Sequence, residues 1–196
     1  MDALADLGRD EGKATVTLLT IVTRTYKRPT LLARCVASVQ EQTRADLVEQ
    51  VILYDETGMG IGRSHREIAR RANEYHGDYV YVLDDDDWLC RPTFAAELAA
   101  IIECAGRPDV VMVRLDHMGR LLPSAETWGR APVCGHIGFA CYILRRDVFM
   151  AHCDALTERY EGDYDLIAAV WGTNPRVVWH DEVCAQADGQ RRGQAE

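Results

Sequence analysis

Four short apolar runs alternate with stretches of helical periodicity, and that alternation leaves few architectures open. TVTLLTIVT (15–23) is β-branched and apolar on both faces, the pattern of a strand buried inside a parallel sheet. QVILY (50–54), YVYVL (79–83) and DVVMVRL (109–115) repeat the pattern. Between them, Leu31, Leu32, Cys35, Val36 and Val39 share one helical face, entered at Pro29. Ile68, Ala69, Ala72 and Tyr75 mark a second helix, with Gly77 placed to end it. Leu98, Ile101 and Ile102 mark a third, opened by Pro92 and closed by Gly106. Strands and helices in this order, joined by short connections, predict right-handed βαβ units. The expected fold is a single Rossmann-like α/β domain, its central sheet mostly parallel and flanked by helices.

The pattern loosens after residue 116. Residues 117–136 carry Gly119, Pro123, Gly129, Pro132 and Gly135 and read as an irregular loop. An apolar strand running into a short helix is expected over 137–149, a helix over about 163–171, and a last strand at 176–179. The length, 196 residues, suits one core better than two. One domain over 15–185 is expected, with a polar, flexible lead-in at 1–14 and a frayed tail at 186–196.

A formal net charge of −9 argues against a nucleic-acid polymer as partner, since phosphate backbones demand a basic stripe. It leaves room for a single nucleotide held through a metal ion. No run approaches the roughly 18 apolar residues of a membrane span. MDALADLGRDEGKA lacks the basic-then-apolar order of a signal peptide. The seven cysteines form no C-x-x-C pair, so reduced thiols in a cytoplasmic protein are expected rather than disulfides or a zinc site.

The chemistry concentrates in Leu83-Asp84-Asp85-Asp86-Asp87-Trp88, which starts where the third strand stops. In open α/β sheets, ligands bind at the carboxyl ends of the strands, and Asp55 shares that placement at the end of the second strand. Four adjacent carboxylates repel one another, and no cation lies within the run. A divalent ion would relieve them, and hard oxygen donors suit Mg²⁺ or Mn²⁺. A solvated acidic turn is the alternative. A calcium loop of the EF-hand kind lacks its glycine and later glutamate. The glycine loop TGMGIG (57–62) is not a phosphate-binding P-loop, because no Gly-Lys-Ser/Thr follows, and it lacks the G-x-G-T-R of sugar nucleotidylyltransferases.

Three blocks, TIVTRTYKRPTLLARCVASVQEQT, ILYDETG and YVYVLDDDDWL, resemble in order and spacing the opening half of family-2 glycosyltransferases of the GT-A fold. The resemblance is strongest over 15–90 and implies a nucleotide-binding half at 15–90 and an acceptor half at 91–185. It implies a metal-dependent transfer of a sugar from a UDP- or GDP-linked donor to an acceptor hydroxyl, with inversion. With no membrane anchor in view, a soluble small-molecule or saccharide acceptor is expected, and a homo-oligomer could complete its site. A GT-A-like nucleotidyltransferase and a catalytically silent nucleotide-binding module remain as alternatives.

By the same resemblance, Asp55 binds the base, Thr23 and Tyr26 line the base and ribose pocket with Arg28 nearby, and Arg63 and Arg66 reach the diphosphate. Asp84 contacts the ribose or the metal, Asp85 belongs to the nucleotide-sugar site, and Asp86 holds the metal. Asp87 is structural or faces the acceptor. TERYEGDYDLIAAVWG resembles the family's E-D-Y-D-L helix start, which puts Asp163 on the catalytic-base position with Glu161 as fallback. Asp163 is also suited to capping that helix. His180 is a candidate further metal ligand, and Trp128 a candidate acceptor contact. Ser64-His65-Arg66 stands where the family has A-R-N.

Overall fold

The computed structural model describes residues 17–188; the expected lead-in at 1–14 and the tail beyond 188 lie outside the described residues. The chain runs β1 (Leu19–Thr25), α1 (Pro29–Gln40), β2 (Val48–Tyr54), α2 (Ile61–Arg70), β3 (Tyr79–Val82), β4 (Asp87–Leu89), α3 (Phe94–Cys104) and β5 (Val110–His117). There follow β6 (Arg120–Leu122), β7 (Tyr142–Arg145), α4 (Arg146–His152), α5 (Gly162–Trp171) and β8 (Val177–Ala187).

The strands form one sheet in the order β2-β1-β3-β7-β5-β8-β4, with β6 paired to β5. β1 pairs in parallel with β2 and β3, and β5 with β8, whereas β7 runs antiparallel between β3 and β5 and β4 runs antiparallel to β8. The sheet is therefore mixed, not mostly parallel. The reason is local: β7 returns against β5 without the crossover helix that a parallel pairing needs. The α/β class and the single layered core stand as expected. Strand residues such as Leu19, Ile21, Tyr81, Val111, Val113 and Ile143 are fully buried beneath helix residues such as Cys35, Ile68, Leu98 and Ile167.

Helix ends follow sequence signals in part. Pro29 sits in the first turn of α1. Beyond α3, Gly106 and Arg107 both take positive φ (65° and 60°), and the Arg107 N–H reaches the Ile102 carbonyl at 2.8 Å, closing the helix as expected. Gly77 has a different job from the one expected. α2 stops at Arg70, a short 3₁₀ turn follows, and a Cβ at Gly77 would lie 2.4 Å from the Thr20 backbone nitrogen. That glycine allows the chain to graze β1 before entering β3.

β4 and β6 lie where no strand was expected, and β8 is longer than expected. The loop at 117–136 opens with a hairpin in which Met118 and Gly119 both have positive φ, returning the chain as β6. The final strand, expected to end near 179, continues to Ala187, so Gln186 and Ala187 pair with β4 instead of fraying.

Candidate functional site

β1, β2 and β3 point the same way and end on one edge, where three connections gather: Tyr26–Arg28, Asp55–Gly60 and Leu83–Asp86. A cleft of about 380 Å³ opens there. Its walls include Arg24, Thr25, Tyr26, Arg28, Tyr54, Asp55, Gly58, Ser64, Asp84 and Tyr160. Open α/β sheets place ligands at this edge because the diverging loops leave a crevice there.

Asp55 builds one wall. Its Oδ1 accepts the N–H groups of Thr57 (2.9 Å) and Gly58 (2.7 Å), and its Oδ2 that of Met59 (2.7 Å). The carboxylate thus ties down the glycine loop. Gly58, at φ +73°, lies against Tyr26: a Cβ there would meet the ring at 2.9 Å. A side chain at 58 would push Tyr26 out of the cleft it lines.

The aspartate run is buried, not a solvated turn; Asp85 is fully enclosed and Asp84, Asp86 and Asp87 nearly so. Its charge is relieved by arginines from the end of β1 and from the turn into α1. Arg24 forks onto Asp84, Nε to Oδ1 at 2.8 Å and Nη2 to Oδ2 at 2.6 Å, and donates Nη1 to Ser64 Oγ at 2.8 Å. The same guanidinium lies 5.4 Å from the Phe139 ring centre. Arg28 pairs through Nε (3.1 Å) and Nη2 with Asp85, and its Nη1 stands 3.6 Å from Asp86. Burial pushes the Asp85 carboxyl up to about 6, against the opposing pull of the Thr25 hydroxyl and the Arg28 charge. The absence of a cation within the run was therefore no guide to its charge balance, because the cations arrive from 60 residues away.

Arg28 Nη1 is buried without a hydrogen-bond partner. A guanidinium arm in that state, on the wall of a cleft, suits an incoming anion. Among the described residues no group of three or more His, Cys, Asp or Glu side chains is gathered as a metal cage. The carboxylates of Asp84 and Asp86 are nevertheless donors of the hard type that Mg²⁺ and Mn²⁺ prefer.

Several expected site residues lie elsewhere. Thr23 is fully buried on the other side of β1, where its hydroxyl accepts Gln50 Nε2 at 2.9 Å and lies 3.7 Å from Cys35 Sγ. Successive strand residues face opposite ways, so Arg24 takes the cleft side. Arg63 and Arg66 are exposed and off the cleft, because α2 turns Ile61, Ser64 and Glu67 toward it. His180 meets Glu97 at 3.5 Å. It lies seven residues before Ala187, the β8 residue that pairs with Asp87.

Asp163 lies in the first turn of α5, but Glu161 occupies the N-cap position and makes no side-chain cap bond. Asp163 Oδ1 accepts its neighbour's N–H, from Tyr164, at 2.8 Å, and Oδ2 would stand 3.9 Å from a Cβ on Gly138. Gly138 adjoins in sequence Phe139, the ring beneath Arg24. Glu161 instead turns to Arg159 at 3.5 Å on the surface. α2 is clamped against this region: a Cβ on Gly62 would fall 2.0 Å from the Glu158 carbonyl, and one on Gly162 2.3 Å from His65 Nδ1. Trp128 stacks on the buried Arg114 guanidinium (4.0 Å) and packs edge-on to Trp179 (4.8 Å), a structural berth.

Arg24, Thr25, Ser64 and Tyr160 were not expected in the site. Strand alternation sets Thr23 and Arg24 on opposite sides but does not say which of them faces the cleft. Ser64 stands where the resembled family has A-R-N, and nothing in local sequence marks Tyr160 as a cleft residue.

No protein-family profile matches the chain, and no curated protein matches it in sequence. In three dimensions it is similar to S. aureus TarS. The structure of TarS 1–349 in complex with UDP aligns at a TM-score of 0.67 with 13% identity, covering 87% of this chain and 60% of that one. The structure of TarS 1–349 in complex with UDP-GlcNAc aligns at 0.65 with 14% identity, covering 91% and 61%. The chain thus spans about three fifths of the TarS fragment. The architecture is that of the GT-A-like fold.

Proposed function

We propose that this chain transfers a sugar from a nucleotide-sugar donor to an acceptor hydroxyl, with inversion. The observation that carries the reading is the convergence of the Asp55 loop, Arg28 and Asp84 on one cleft at the carboxyl edge of β1–β3. The UDP and UDP-GlcNAc of the TarS structures, which share this fold, support a uridine donor over a guanosine one.

On this reading the base lies along Tyr26 and the Asp55-held loop, and Arg28 Nη1 donates to the diphosphate. Asp84 and Asp86 would hold a Mg²⁺ or Mn²⁺ ion, which when bound would offset the charge developing on the leaving diphosphate. The acceptor oxygen forms its bond to the anomeric carbon as the bond from that carbon to the phosphate oxygen breaks; the electron pair leaves with the nucleoside diphosphate. The Asp163 carboxylate takes the acceptor proton. Arg24 holds the Asp84 carboxylate in its orientation. No helix among the described residues is long and apolar enough to cross a membrane, and a saccharide or small-molecule acceptor fits. A reducing, cytoplasmic setting suits seven unpaired thiols.

The test is calorimetric titration of UDP and GDP, with and without Mn²⁺, followed by donor turnover with UDP-GlcNAc. Saturable UDP binding that Asp84→Asn weakens, with release of UDP on turnover, supports the reading. Release of pyrophosphate would make the chain a nucleotidyltransferase. UDP binding without any turnover would make it a silent module, and no nucleotide binding at all would sink the proposal.

A further inference from the structure

A second concavity of about 680 Å³ lies on the opposite edge of the sheet. Asp78, on its rim, precedes β3 while Asp84 follows it, so the two openings are separated by roughly 20 Å of strand. Four arginines from three segments converge there: Arg107 beyond α3, Arg145 and Arg146 at the junction of β7 with α4, and Arg176 ahead of β8. In a chain of net charge −9 this runs against the bulk trend.

Two of the four are neutralised within the protein. Arg107 pairs with Asp78 at 3.1 Å, and Arg145 sits between Asp109 at 2.7 Å and Asp147 at 2.6 Å. The other two have no carboxylate partner among the described residues. Arg176 spends one arm on the Ala105 carbonyl, and Arg146 Nε is buried with no hydrogen-bond partner. A buried donor left unmade is costly, and a cation beside it more so.

We propose that this concavity binds a small phosphate-bearing ligand, gripped by Arg146 and Arg176. Planar guanidinium forks match the several acceptor oxygens of a tetrahedral phosphate better than any single neutral group. Asp78 and Asp147 on the rim repel a long polyanion laid across the opening, whereas one phosphate inside meets the two uncompensated guanidinia. The site is independent of the nucleotide-sugar cleft and of the activity proposed for it.

The experiment titrates inorganic phosphate and, separately, tripolyphosphate into ¹⁵N-labelled full chain, following backbone amide shifts. Wild type should saturate, with shifts centred on 106–107 and 145–147. R146Q/R176Q should weaken binding at least tenfold. The charge-matched control R44Q/R70Q, at two exposed arginines that do not line the concavity, should stay within twofold. Phosphate binding as tightly as tripolyphosphate marks a single-phosphate site; much tighter tripolyphosphate marks a polyphosphate one, and both sustain the proposal. Shifts confined to 58–61 and 84–86, equal losses in the control, or no saturation overturn it. If the double variant does not fold, R176Q alone, whose side chain is exposed, reads the same contrast.

Discussion

The guanidinium of Arg24 caps both oxygens of Asp84, 60 residues further along the chain, in a fork of 2.8 and 2.6 Å that is almost wholly removed from water. Each partner makes the other tolerable. A buried ion pair offers little net stability over an apolar pair of the same shape, but losing one partner strands a charge in the interior. The pair orients a carboxylate on the wall of the cleft.

Arg24→Met should therefore destabilise the protein by about 3–5 kcal/mol, while Arg24→Met/Asp84→Leu should recover most of the loss. Urea unfolding of the four-member cycle measures it. Equal stability of Arg24→Met and wild type would mean that the fork does not form in solution.

Gly62 and Gly162 meet opposing groups of different kinds. Gly62→Ala drives a methyl onto the Glu158 backbone, which cannot step aside, and should cost about 1–3 kcal/mol or more. Gly162→Ala meets the His65 ring, so His65→Ala should partly rescue it but leave Gly62→Ala unrelieved. Thermal midpoints of the single and double variants check the contrast.

Asp163→Asn keeps the shape of the side chain and removes its basicity. Turnover with UDP-GlcNAc should fall about 10²–10⁴-fold with UDP affinity unchanged. Glu161→Gln, on the surface with Arg159, should be near neutral. Reversed results would move the base to Glu161.

Burial pushes the thiols of Cys35, Cys141 and Cys184 up to about 12, which keeps them protonated through pH 10. Cys104 and Cys134 are exposed. Iodoacetamide at pH 8 should label those two in the native protein and reach the buried three only in denaturant, as read by peptide mass spectrometry. Since these thiol pKa values lie above the ordinary value of 9.0, the fold favours the protonated form, and its stability should fall as pH rises beyond about 9.

The placement of the site was legible in local signals. Asp55 and Asp84 each end an apolar run, and runs of that kind become parallel strands whose carboxyl ends share an edge. Helix boundaries set by Pro29 and by Gly106 were equally legible, because they depend on backbone geometry within a few residues. Asp163 was singled out through the residues around it and lies in the first turn of α5, its carboxylate near Gly138.

What the sequence by itself determined is thus the α/β alternation, the edge on which a ligand would bind, and the residues that could reach that edge. Tertiary structure alone decided which of them do. Whether Thr23 or Arg24 faces the cleft depends on which side of β1 receives α1, and the exclusion of Arg63 and Arg66 on how α2 is rotated by its glycine contacts. The antiparallel entry of β7, which made the sheet mixed, and the length of β8, which sets His180 seven residues ahead of the partner of Asp87, depend on partners far along the chain. Above all, the four carboxylates hold no sign in their own sequence of how they are neutralised. Coulomb attraction acts through space, and the arginines that answer them come from the end of β1 and the turn into α1, 60 and 57 residues earlier.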